Sequence, residues 1–201
     1  MQSHTIISTP INTWTQAHST VTHLIVWNNT LWSASNDSTI KQWSANGQCL
    51  QTLVGHSDSV LYLYVWKDLL HSASYDKTIR VWDFNGTLLR TLQGHTEYVR
   101  CLTSWRDFLV SCSRDDTVRA WNDQGECVAQ WRVSLFQTLI VWKEMLCTGH
   151  WNGSIQLWNE FQVCYNTFKH PDNCAVYSLV THADHLFAGI IVQVLFCVNL
   201  L

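Results

Sequence analysis

Histidine, serine and aspartate return together in this chain at a fixed interval, and these are the residue types of a nucleophilic hydrolase. His56 is followed by Ser74 and Asp76, His95 by Ser113 and Asp115, and His18 by Ser35 and Asp37. In a hydrolase the imidazole takes the serine proton while the carboxylate orients the imidazole. Catalysis needs one such site, whereas this set occurs three times with one period. That repetition points to a structural role.

Metal chemistry is the second candidate, since the chain holds eight cysteines and ten histidines. The cysteines stand at 49, 101, 112, 127, 147, 164, 174 and 197, and no two form a C-x-x-C pair. Structural zinc sites gather closely spaced thiolates and imidazoles, so neither metal nor cofactor is expected. The N-terminus shows no charged stretch followed by an apolar one. Scattered thiols without a leader read as reduced core cysteines of an intracellular protein, cytoplasmic or nuclear. The net charge of −3 and the lack of a Lys/Arg run exclude a basic footprint, so nucleic acid is not an expected partner.

The elements that position these residues are repeats. SASNDSTIKQW (33–43), SASYDKTIRVW (72–82) and SCSRDDTVRAW (111–121) align without gaps, and TGHWNGSIQLW (148–158) follows more weakly. Their final residues Trp43, Trp82, Trp121 and Trp158 are spaced 39, 39 and 37 apart. Trp27, Trp66, Trp105 and Trp142 keep the same spacings. Two independent landmarks in one phase identify a repeat architecture.

Inside one period the apolar residues alternate with period two. Residues 59–91 divide into four short β-branched or aromatic runs separated by turn residues. Asn46-Gly47 and Asn85-Gly86 stand where tight hairpins need positive φ, with Gln124-Gly125 in the same place of the third copy. No capped helical stripe is present. The reading is all-β, with four antiparallel strands per repeat.

Gly55-His56 followed 26 residues later by Trp82-Asp83, and Gly94-His95 with Trp121, resemble the WD repeat. The resemblance covers roughly residues 5–189. It implies a β-propeller with one four-stranded blade per repeat. It also implies a buried hydrogen-bonded set in each blade: His18, Ser35, Asp37 and Trp43; His56, Ser74, Asp76 and Trp82; His95, Ser113, Asp115 and Trp121. A buried carboxylate is tolerable when paired, and a tryptophan N–H needs an acceptor.

The repeats are expected near 16–54, 55–93, 94–131 and 132–169, with a partial one at 170–189, making residues 1–189 a partial propeller. Residues 5–15 resemble the outer strand of a preceding blade. A seven-bladed ring of about 40 residues per blade needs about 280 residues, so an incomplete ring of about four and a half blades is expected. The fourth copy has Trp131-Arg132, His150 and Asn152 at the Gly-His, serine and aspartate positions. It is expected to lack the polar set and to rest on apolar packing by Ile155, Leu157 and Trp158. After Gly189 the period is lost in IIVQVLFCVNLL, and residues 190–201 read as an aberrant apolar tail without a partner. This stretch is short for a membrane span and has no basic flank, so no membrane is expected.

Binding groups of a propeller project from its turns. The resemblance points the residue before each aspartate position towards the narrow face: Asn36, Tyr75, Arg114 and Trp151. Asp58, Glu97 and Tyr98 lie near that rim. Tyr, Trp and Arg dominate interface hot spots. The expected function is a non-catalytic scaffold that binds a protein or peptide partner, with association through open propeller edges. A substrate-recruiting subunit of a ubiquitin ligase is one alternative, although Trp82-Asp83 is followed by Phe84-Asn85 and not by the adaptor signature Trp-Asp-x-Arg. An enzyme with a channel-mouth site is the other, and only His150 departs from the repeat in that direction.

Overall fold

Strand formation follows from the alternation of apolar and polar residues, and the hairpins between strands follow from their turn chemistry. The computed structural model describes residues 19–134, 136–159, 163–170, 172–190 and 195–198. Blade one comprises β1 (Val21–Trp27), β2 (Thr30–Ser35), β3 (Thr39–Trp43) and β4 (Cys49–Val54). Blade two comprises β5 (Val60–Trp66), β6 (Leu69–Ser74), β7 (Ile79–Trp82) and β8 (Leu88–Leu92). Blade three comprises β9 (Val99–Trp105), β10 (Phe108–Ser113), β11 (Thr117–Trp121) and β12 (Cys127–Arg132). Blade four comprises β13 (Phe136–Trp142), β14 (Met145–His150), β15 (Ser154–Trp158) and β16 (Cys164–Lys169). Blade five has β17 (Val176–His182), β18 (His185–Ile190) and β19 (Leu195–Val198). Every sheet is antiparallel in chain order, and no helix occurs among the described residues. This is an incomplete β-propeller.

Three local expectations are corrected. Of the Asn-Gly pairs, only the glycine takes positive φ: Gly47 and Gly86 at 83°, and Gly125 at 84°. Gly47 N–H bonds the Ser44 carbonyl, and the next strand pair slips by one residue at Trp43. This is a three-residue hairpin with glycine at its bulge, so the asparagine stays in ordinary backbone. The tight two-residue turns lie elsewhere, at Asn28-Asn29, Lys67-Asp68 and Lys143-Glu144, where both φ values are positive. Leu195–Val198 pair with β18, so part of the expected unpartnered tail is the third strand of blade five. Cys101 and Cys112, directly opposite on β9 and β10, are joined by a disulfide rather than reduced. Residues 5–15 lie outside the described residues.

The core sits between blades. One cluster joins Trp27, Trp32 and Ile40 of blade one to Leu63, Leu70 and Trp82 of blade two. Similar clusters join blades two and three, three and four, and four and five. Burying one such leucine contributes roughly 1.5–3 kcal/mol. One position shows that the arc is open. Leu63, Leu102 and Leu139, at the same place in β5, β9 and β13, are 0%, 1% and 6% exposed, whereas Leu24 in β1 is 54% exposed. Among the described residues, no blade covers that side of blade one.

Each innermost strand also carries one bulge. The register skips Thr22 in β1, Leu61 in β5, Arg100 in β9, Gln137 in β13 and Tyr177 in β17. A bulge turns its extra side chain away from the ladder.

Candidate functional site

The repeated polar set holds the loops in place, and its geometry can be read proton by proton. In blade two, Trp82 Nε1–H donates to Ser72 Oγ at 2.9 Å. His56 Nε2 lies 2.7 Å from the same oxygen, and His56 Nδ1 lies 2.7 Å from Asp76 Oδ2. A carboxylate only accepts, so Nδ1 carries the proton and Nε2 accepts from the serine hydroxyl. Blade three repeats this with Trp121, Ser111, His95 and Asp115 at 2.8, 2.8 and 2.9 Å.

The serine differs from the one expected. Ser33, Ser72 and Ser111 accept the tryptophan bonds, not Ser35, Ser74 and Ser113. The register explains it: Ser72 stands opposite Arg80, two residues from Trp82, while Ser74 lies two residues farther along. Ser74 and Ser113 instead donate to the carbonyls of Asp58 and Glu97. They also accept the N–H groups of Asp76 and Asp115. In blade one Trp43 bonds Ser33, and Asp37 Oδ1 accepts from Thr39. His18 lies outside the described residues.

Blade four overturns the expectation that it has no polar set. Trp158 Nε1–H donates to Thr148 Oγ1 at 2.9 Å, and His150 Nε2 is 2.8 Å from that hydroxyl. His150 Nδ1 lies 2.9 Å from the Ser134 carbonyl. The proton order is the same, with a backbone carbonyl in place of the carboxylate. The histidine has moved onto the strand that carries the threonine, so no buried charge is required. Asn152 is outside this hydrogen-bonded set and accepts from Ser154 N–H and Oγ–H.

Electrostatics follows from burial and these bonds. Burial alone raises the Asp76 carboxyl, but the bonds from His56 and Thr78 outweigh it and hold it well below the usual carboxylate range. Asp115 is lowered in the same way by Thr117, Thr96 and His95. Burial lowers His95 and His150, only partly offset by Asp115 and by the Ser134 carbonyl.

The loop residues named from the sequence stand on the turns between the second and third strands of blades one to four and on the segments entering blades two and three. Asn36, Arg114, Asp58 and Glu97 are exposed, and Tyr75 and Trp151 are 43% and 44% exposed. Their backbones are fixed: Asn36, Tyr75 and Arg114 N–H bond the carbonyls of Thr20, Ser59 and Tyr98. Tyr75 stacks on Tyr98 at 4.3 Å, and burial, with Tyr98 and Asp58 nearby, raises its phenol. Glu97 pairs with Lys77 at 3.5 Å. Trp151 meets Tyr177 edge-on at 5.6 Å, a partner the sequence reading missed.

Tyr75, Tyr98 and Tyr177 continue into a cavity of 480 Å³, also lined by Arg100 and Gln137. Arg114, Asn36 and Trp151 do not line it. Arg100, Gln137 and Tyr177 escaped the sequence reading because they share a position and not a residue type. The available signal was the place directly after the first apolar residue of each inner strand. Among the described residues, no three His, Cys, Asp or Glu side chains converge as a metal site would need.

Residues 47–83 and 86–122 match the family model described as WD domain, G-beta repeat. Each stretch runs from the outer strand of one blade through the third strand of the next. No curated protein sequence matches the chain. Among solved structures, the computationally designed Ika8 protein is 26% identical with a TM-score of 0.75, over 90% of this chain and 58% of that one. The WD40 beta propeller domain of Doa1 is 20% identical with a TM-score of 0.79, over 91% of this chain and 64% of that one. The chain spans less than two thirds of either structure.

Proposed function

We propose that this chain, an open arc of WD-type β-propeller carrying WD40 repeats, is a non-catalytic scaffold that binds a protein or peptide on its loop face. One observation carries the reading. Tyr75 and Trp151 stand 43% and 44% exposed at one repeat position, with Arg114 between them in sequence. Large rigid aromatics beside a guanidinium are the side chains that anchor interfaces. The repeated Ser, His and Asp groups are occupied with one another and leave no free nucleophile–base pair in those sets. Among the described residues five cysteines remain free beside the Cys101–Cys112 disulfide. No helix among the described residues is long and apolar enough to cross a membrane.

The test is affinity capture from cell lysate by three proteins of matched melting behaviour. These are the parent chain, the Tyr75/Arg114/Trp151 triple alanine variant and a Lys67/Arg106 double alanine control. Truncating central anchors costs about 2 kcal/mol or more, roughly thirtyfold in affinity. The triple variant is expected to lose the partners that the control keeps. The opposite pattern moves the binding surface to the outer rim.

A further inference from the structure

Five bulges place five different side chains at one level of the arc. Thr22, Leu61, Arg100, Gln137 and Tyr177 are the residues skipped by the inner-strand registers, and all five line the 480 Å³ cavity. The Trp–Ser–His–Asp set nearly repeats its residues from blade to blade, as packing demands. The bulge ring repeats a position while changing its chemistry: hydroxyl, isobutyl, guanidinium, carboxamide, phenol. Bulges commonly aim side chains at functional sites.

Gln137 gives the ring its direction. It is only 3% exposed, and both its amide nitrogen and oxygen are buried without a hydrogen-bond partner. Buried polar groups are nearly always paired, so an orphaned amide lining a cavity marks a place for a ligand. A carboxamide offers a donor and an acceptor side by side, the complement of a peptide unit. Among the described lining residues, Arg100, in the blade before, is the one Lys or Arg, and none is a carboxylate. His23 lies there too, and burial favours its neutral form.

The geometry points to a binding site for a peptide carboxylate: Arg100 takes the carboxylate, and Gln137 pairs with the adjoining peptide unit. Tyr98 and Tyr177 form aromatic walls. A guanidinium matches a carboxylate in both charge and bidentate shape. A phosphate carries up to two negative charges and would be left half balanced. The carboxylate comes either from a chain terminus or from an acidic side chain. This site rests on the scaffold reading and specifies its ligand.

The test uses the full chain and fluorescein-labelled hexapeptide pools in four formats, read by fluorescence polarisation. One pool has a free C-terminal carboxylate and no acidic residue. The second is amidated with one internal glutamate, the third amidated and neutral, and the fourth amidated with one phosphoserine. Binding by either carboxylate format is expected, and which of the two binds identifies the source. Arg100→Gln and Gln137→Leu should each weaken it at least tenfold, while Arg132→Gln, exposed on β12, should leave it unchanged. Gln137→Leu should melt no lower than the parent, because blade two already holds Leu61 at the matching bulge. That separates lost recognition from lost folding. Tightest binding of the neutral or phosphoserine pool overturns the site, as does undiminished carboxylate binding by both variants. If only the Tyr75/Arg114/Trp151 variant loses the peptides, this cavity site is wrong and the scaffold reading stands. A parent chain that retains no peptide in any format also sinks the site, while lysate capture judges the scaffold separately.

Discussion

At the scale of single residues, the polar sets show what spacing can and cannot specify. His56, Asp76 and Trp82 were legible because each stands at a fixed offset that recurs at His95, Asp115 and Trp121. The serine was not. In Ser-Ala-Ser and Ser-Cys-Ser both serines face the same side of the strand, and only the register against β7 or β11 decides which reaches the indole. The network gives unequal weight to two residues at equivalent positions. Asp76 accepts from His56, Ser57 and Thr78, the last through both its N–H and its hydroxyl. Among the described residues, Asn152 serves Ser154 alone. Asp76→Ala is therefore expected to cost ~1–3 kcal/mol more than Asn152→Ala, since it strands a buried imidazole. Urea melts of the two variants check this, and equal losses would remove Asp76 from the network.

At the scale of elements, strands were legible from alternation and blades from the tryptophan period. What the sequence hid was substitution of one device by another. Blade four has neither the Gly-His pair nor the aspartate, so residue matching reported an empty site. Thr148 and His150 rebuild it within β14 because positions two apart on a strand lie on one face. The bulges were hidden for a related reason: a register slip leaves no compositional mark when its residue varies. The rebuilt set makes a definite prediction. Thr148→Val keeps the shape but removes the hydroxyl shared by Trp158 Nε1 and His150 Nε2. It should lower stability by about 1–3 kcal/mol, while Thr167→Val on the exposed strand β16 should stay within about 0.5 kcal/mol. Thermal melts that rank the two alike would show that blade four rests on apolar packing alone.

At the scale of the whole molecule, stability is set at successive interfaces between neighbouring blades, so buried histidines in different blades act on one total. Burial lowers His71 to about 4, against the bond to the Leu69 carbonyl, and lowers His95 and His150 as well. A lowered folded value means that the unfolded chain binds the proton first as the pH falls. The stability these groups contribute is thus complete above about 6.5, the ordinary histidine value, and drains away as the pH drops towards 4. The lowered Asp76 and Asp115 extend the loss below the usual carboxylate range. Denaturant midpoints should fall steadily from pH 7.5 to 5. His71→Val, the residue blade three carries as Val110, should flatten that slope, and an unchanged slope would remove His71 from the account. The placement of the histidines has one more consequence. His56 and His95 sit in the segments that enter blades two and three and are bolted to Asp76 and Asp115 of the blade entered. Among its described residues the segment entering blade four has no such bolt; its Val133 N–H is tied back to the Asp116 carbonyl of blade three, and its Ser134 carbonyl meets His150. Under tension applied through the chain, that joint transmits load through two hydrogen bonds to backbone carbonyls in place of a buried imidazole–carboxylate bond, and the arc should part there first.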